Sequence, residues 1–201
     1  LPIHVRSSFS AREDTWVLSA EAVAELVERG EMEEPVISGV AHDLTEAKLT
    51  VVGVPDQPGE AAAIFEVISS VGANIDMIVQ NVSTAGRTDI TLTIKGSDDD
   101  AAMVALREAQ QDIGFADIVF DPGVAKVTLV GAGMRRHPGV SATFFRALAE
   151  AGVNVEMIST SEIRISVVCR ADDAPRAVAA VHTAFGLDAD TEAGVYAGTG
   201  R

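Results

Sequence analysis

Two loops in this chain carry the residues best suited to chemistry. The first belongs to "VPDQPGEAAAIFEVISSVGANIDMI", from Val54, and the second to "MRRHPGVSATFFRALAEAGVNVEMI", from Met134. Pro58 matches Pro138, Gly59 matches Gly139, Phe65 matches Phe145, Gly72 matches Gly152 and Asn74 matches Asn154, and Met77 and Ile78 match Met157 and Ile158. In each copy a Pro-Gly pair feeds a helix. A helix start leaves backbone N–H groups free and carries partial positive charge, a natural seat for a carboxylate. Gly59 and Gly139 let a ligand approach the backbone closely. Asp56 can accept hydrogen bonds from an ammonium or a hydroxyl, and the amides of Asn74 and Asn154 can complete a polar pocket. One end for a carboxylate and one for an ammonium suits a free amino acid. A plainer explanation stands beside this one: Pro and Gly punctuate turns without any ligand, and Asn after Gly can simply serve a helix C-terminus. Keeping the whole set in both copies favours a site, although duplication alone also copies residues.

The elements that must position these loops follow from periodicity. "KLTVVGV" reads as a strand, and Pro58 and Gly59 open a helix with Ala61, Ile64, Phe65, Ile68 and Val71 on one face and Gly72 past its end. "NIDMIVQNV" is a second strand. "TDITLTIK" is a third, with Thr88, Ile90, Leu92 and Ile94 alternating against Asp89, Thr91, Thr93 and Lys95. "SDDDAAMVALREAQQDIG" is a helix with its aspartates at the positive end of the dipole, and "FADIVFD" a fourth strand. The second copy repeats the order: "VAKVTLVGA", a helix over 138–151, "NVEMIST", "EIRISVVC", a helix over 172–185 and a last strand near "AGVYAG". Each copy is βαββαβ, so the fold class is α+β, two ferredoxin-like units with helices on one sheet face. The other face needs a cover, and the second copy is the nearest candidate. Ahead of the repeat, "LPIHVRSS" suggests a short strand, "LSAEAVAELVERG" a helix capped by Ser19, and 36–41 another strand.

Composition excludes several functions. A net charge of −15 with only three lysines, Lys48, Lys95 and Lys126, argues against nucleic acid. No apolar run is long enough for a membrane span or a signal peptide, and a cytoplasmic location is the simplest expectation. "GAGMRR" fails the dinucleotide fingerprint because Arg136 holds the third glycine position. No phosphate loop, nucleophile elbow or zinc motif occurs. His4, His42, His137 and His182 are scattered singly, and Cys169 in "ISVVCR" reads as a buried small hydrophobe. Asp98, Asp99 and Asp100 read as a solvated helix start, with no metal site expected. The residues describe a binding module, with no catalytic set and no cofactor.

Through "PDQPG…GANIDMIVQNVS…TDITLT", "GAGMRRHPG", "NVEMISTSEIRIS" and the terminal "VYAGTGR", the chain closely resembles the tandem ACT domains of aspartate kinases over roughly 36–201, above all the lysine- and threonine-regulated αβ type of actinobacteria. "LPIHVRSSFS" is similar to the closing strand of that family's catalytic domain, whose Lys-Phe-Gly-Gly segment has no counterpart here. The resemblance therefore implies a regulatory region, inactive alone, with ATP and magnesium confined to the catalytic domain. It implies the end of the catalytic domain and a linker over 1–31, with Met32 resembling an internal start. Residues 32–47 would give a strand to the second ACT domain, 48–122 would form the first ACT domain, inserted in the second, and 123–201 the second with its tail. Two chains would pair as a homodimer, the first ACT domain of one against the second of the other, and would bind the catalytic subunit. The implied role is feedback inhibition of lysine, threonine and methionine synthesis.

Residue by residue, the resemblance implies a threonine pocket from Asp56, Gly59, Ala61 and Gln80, with Asn154 and Val155 from the facing unit. A second pocket would use His137, Gly139, Val140 and Ser141 with Asn74, Ile75 and Asp76 across the interface. Ser83, Thr91, Ser161 and Glu162 match positions that tune lysine sensitivity in relatives. Asp76 or Glu162 would then meet a lysine ε-ammonium, or would stand as an ordinary exposed strand carboxylate. The segment from Ala11 to Glu31 and the short loop "NVSTAGRTD" depart from the family pattern. An assembly module that binds nothing small is the alternative function, and a stand-alone enzyme is the reading with least support.

Overall fold

The computed structural model describes residues 3–5, 15–17, 36–81, 85–132, 134 and 137–188. Near the start, β1 (Ile3–Val5) pairs antiparallel with β2 (Thr15–Val17). The helix expected over 18–30, the strand expected near 193–198, Ser83 and Arg136 lie outside the described residues.

The first unit runs β4 (Glu46–Pro55), α1 (Glu60–Ser70), β5 (Ile75–Gln80), β6 (Arg87–Lys95), α2 (Asp99–Ile113) and β7 (Asp117–Asp121). Its four strands lie in the antiparallel order β5-β6-β4-β7, the βαββαβ arrangement expected. Strand β4 begins two residues before Lys48, because Glu46 and Ala47 extend its pairing with β6. It breaks register between Val51 and Val54, where Gly53 turns to φ +65° and donates its N–H to the Asp89 carboxylate at 2.8 Å. Leu49, Val51, Ile90, Leu92 and Ile94 point at the helices and are buried with Ile64, Ile68 and Leu106. The alternation read from "TDITLTIK" holds except at Thr93. That residue is buried on the opposite face, where its hydroxyl accepts the Met77 N–H at 3.2 Å.

The second unit runs β8 (Val124–Val130), α3 (Val140–Glu150), β9 (Met157–Thr160), β10 (Arg164–Arg170), a single 3-10 turn over Ala171–Asp173 and α4 (Ala174–Ala184). Its sheet order is β3-β8-β10-β9, with β3 (Gly39–Asp43) lying antiparallel beside β8 from Gly39 against Val130 to Asp43 against Lys126. That strand starts later than the 36–41 expected, and it comes from ahead of the first unit. Phe144, Leu148, Val127, Leu129, Val167 and Cys169 form the core between sheet and helices, which confirms the buried reading of Cys169.

Both helices after the Pro-Gly pairs start one residue beyond the glycine. Gly59 has φ +106° and Gly139 φ +104°, left-handed values that a helix cannot include, so each glycine is the N-cap and each proline stays in the turn. The open faces of the two sheets, away from the helices, meet at one corner. Met77, Val79, Val124, Met157 and Val168 pack together there, and Met77 and Met157 are the matched residues of the repeat. The second copy thus covers part of the open face, while Val119 and Val130 stay exposed on it. Among the described residues, no helix is long and apolar enough to cross a membrane.

Candidate functional site

The loop between β8 and α3 and the turn between β9 and β10 enclose a cavity of about 390 Å³. His137, Gly139, Val140 and Ser141 come from the loop and the first helical turn, and Thr160, Ser161 and Glu162 from the facing turn. Met134, Pro138 and Ile165 complete the wall. The local sequence explains the shape. Gly139 permits the sharp entry into α3, and nothing lies within 4 Å of where its Cβ would stand. Among the described residues no side chain caps α3, whose first turn lines the cavity with the Ser141 hydroxyl. Opposite, the Ser161 N–H donates to the Arg164 carbonyl at 2.8 Å, a tight turn that presents Ser161 and Glu162 outward. The volume suits a small metabolite. A helix start, three hydroxyls and one carboxylate can hold a carboxylate at one end and an ammonium at the other.

The structure therefore brings together His137, Gly139, Val140, Ser141, Ser161 and Glu162. Sequence reasoning missed Thr160, Met134 and Ile165 as lining residues. Thr160 was within reach, since it directly precedes Ser161 and ends the strand. The first loop is more open. Asp56, Gly59 and Gln80 are exposed, Ala61 is half-buried in the first turn of α1, and the Asp56 N–H donates to the Gly86 carbonyl at 3.0 Å. Thr91 lies away from this loop end, on the open sheet face, sharing a 3.0 Å hydrogen bond with Thr50. Asn74 is exposed just ahead of β5, whereas Asn154 is exposed three residues before β9, which starts later than the strand expected from Asn154; Ile75 and Val155 are half-buried.

Asp76 already has a lysine, and it is the chain's own. Lys126 Nζ donates to Asp76 Oδ2 at 2.7 Å and also binds Glu46. Glu156, the repeat equivalent of Asp76, is bound by Lys48. Burial works to lower the Lys126 pKa, but hydrogen bonds and charges from Asp76 and Glu46 outweigh it and hold it above its ordinary value. Asp121 joins the same cluster through Arg170 at 2.5 Å and Lys48 at 3.8 Å. The Arg170 hydrogen bond is the main force holding the Asp121 carboxyl below its ordinary 3.8, helped by the Gly123 N–H and opposed by burial. A depressed carboxyl pKa stabilises the fold at pH values above 3.8, and that contribution fades as pH falls through the depressed value. In urea unfolding, the gap between wild type and Asp121→Asn should hold from neutral pH down to about 4 and close below it. A gap that stayed equally wide below about pH 4 would exclude this linkage.

A family profile described as ACT domain matches residues 49–110 and 127–185. The regulatory subunit of aspartate kinase from Thermus thermophilus, in its ligand-free form, superposes with a TM-score of 0.71 at 41% identity, covering 75% of this chain and 99% of that one. The chain belongs to the regulatory, tandem ACT-domain family of aspartokinases. A structure of aspartokinase alpha and beta subunits matches similarly, with TM-score 0.70 and 42% identity over 74% of this chain and 98% of that chain. The aspartokinase of Mycobacterium tuberculosis is 51% identical over 203 aligned residues, covering all of this chain and 47% of that protein. The chain thus spans about half the length of the curated relatives it matches. The two ferredoxin-like units are its two ACT domains, and the resemblance read from the motifs is confirmed.

Proposed function

We propose that this chain senses end-product amino acids for an aspartate kinase, taking threonine and lysine as effectors and transmitting feedback inhibition to the catalytic subunit. The observation that carries the proposal is the cavity of the second ACT domain, where the α3 start and Ser141 face Ser161 and Glu162. A free amino acid has the two charged ends such a cavity can hold. In this reading the first ACT domain interrupts the second, which is supported by the pairing of Gly39–Asp43 with Val124–Val130. Two chains pair edge to edge through β5 and β9. Both are edge strands, and their matched isoleucines, Ile78 and Ile158, are about half exposed at 51% and 48%. Apolar side chains on open edges need a cover, and a second chain would supply it together with the facing residues Asn74, Ile75, Asn154 and Val155. Catalysis, with its ATP and magnesium, belongs to the partner.

Thermal unfolding against a panel of amino acids tests this. A ligand present at one hundred times its dissociation constant stabilises the folded state by about 2.7 kcal/mol. Threonine or lysine should raise the midpoint by several degrees, and Glu162→Gln should weaken the response to the lysine side chain or amino end. A folded, dimeric chain with no shift for either amino acid would remove the effector role. If that chain still bound the catalytic subunit, it would be an assembly module.

A further inference from the structure

The ion pairs between the two ACT domains obey the symmetry of the repeat. Lys48 opens "KLTVVGV" and Lys126 opens "KVTLVGA". Each reaches across to the other domain, two residues past its repeat asparagine: Lys48 to Glu156, just ahead of β9, and Lys126 to Asp76 in β5 at 2.7 Å. Two of the chain's three lysines are used in this way. Their side chains are only 20% and 17% exposed, beside the buried Met77, Val124, Met157 and Val168. Partly buried pairs are screened by salt far less than surface pairs. Arg170 adds a further inter-domain bond to Asp121, in space that Gly123 leaves open for its guanidinium. Asp76 lies two residues after Asn74, and Glu156 two residues after Asn154, so each lysine grips a segment next to the residues assigned above to the effector pockets.

We infer that Lys48 and Lys126 are positioning residues: a reciprocal clamp that fixes the orientation of one ACT domain on the other and sets the segments 74–76 and 154–156 for ligand. The second clause rests on the effector reading, whereas the first does not. Lys126 is the riskier residue to alter. Glu46 is 7% exposed, has Oε2 without a hydrogen-bond partner among the described residues, and would lose its compensating cation. Lys48→Met is therefore the informative variant, with Glu156→Gln as its partner change. Lys95→Met, at the exposed end of β6, is the control.

Residual dipolar couplings on the whole chain decide the clamp. In wild type and Lys95→Met, couplings from both domains should fit one alignment tensor. In Lys48→Met and Glu156→Gln each domain should keep its own shifts while the two require different tensors, and the double variant should be no worse than either single. A Lys48→Met chain that keeps the wild-type orientation overturns the proposal. Calorimetric titration with threonine and with lysine decides the consequence for binding. Changes along a coupling route typically cost about 2- to 30-fold in affinity, and a loss in that range is expected for Lys48→Met but not for Lys95→Met. Unchanged affinity in Lys48→Met overturns the link to the pockets. A wild-type chain that binds neither amino acid sinks the effector reading and that link together, while the alignment measurement still decides the clamp.

Discussion

Phe144→Ala should cost the second ACT domain about 3–5 kcal/mol. The ring is fully buried in α3 and meets Phe145 edge-on, with centroids 5.4 Å apart and planes at 80°. It is among the largest fully buried side chains and packs in the core with Leu129, Leu148 and Val167. Truncation removes the transfer free energy of the ring and leaves a cavity that the sheet on one side and α4 on the other cannot readily collapse into. Small domains hold only about 5–15 kcal/mol in total, so much of the second domain's margin would go. The first domain has Ile64 at the matched position, and Ile64→Val there should cost only about 0.5–1.5 kcal/mol. Urea denaturation followed by circular dichroism would read both. A shift under about 1 kcal/mol for Phe144→Ala would mean the core tolerates the loss. Because α3 begins at the cavity, the amino-acid binding proposed there should fall in parallel with stability.

Gly131→Ala should be nearly as damaging, for a different reason. The added Cβ would run into the Val36 carbonyl oxygen and stand 2.7 Å from Ile37 Cα, both backbone atoms of the segment leading into β3. A flexible side chain could turn away, but backbone held by the Ser38 N–H to Val130 carbonyl bond at 2.7 Å cannot. Overpacking of this kind typically costs about 1–3 kcal/mol and sometimes more. The expected outcome is loss of β3 from the edge of the second sheet. Hydrogen exchange would show this as lost protection of Val40 and His42 beside β8, while the first domain keeps its protection. Equal protection in the variant would show that 36–38 can move aside at little cost. Gly131 also starts the loop toward Met134 and His137, so the cavity should be disturbed as well.

Most of the architecture was legible in the sequence because its periods are clean. "TDITLTIK" and "KVTLVGA" alternate at a spacing only a half-covered strand explains, and the Pro-Gly and Gly-x-Asn pairs bracket both helices after the first strands. What the period could not show was the cover on the open sheet faces. Thr93 reads as a polar, outward residue, yet it is buried because Met77 and its neighbours from both domains close over that corner. The candidate cavity was legible through the loop residues, since helix starts have a local signature. Ile165 was not, because which side chains of a neighbouring hairpin face a loop depends on sheet twist and packing. The lysine pairs carried a usable signal that charge counting hid. Lys48 and Lys126 hold matched positions, as do Asp76 and Glu156, but only the crossing of the domains turns those matches into contacts.

The position of β3 also bears on how the chain reaches its native state. In an unstructured chain, setting Gly39 against Val130 closes a loop of roughly ninety residues, a cost that grows only with the logarithm of loop length but must be met before any contact rewards it. Once β7 has paired with β4, from Lys48 against Asp121 to Val52 against Asp117, the two ends of that long loop already lie side by side. Strand β3 then hangs just ahead of β4, and β8 emerges just after β7. The early domain thereby acts as a template for the later one, and the sheet of the second domain inherits its closing strand from the folding of the first.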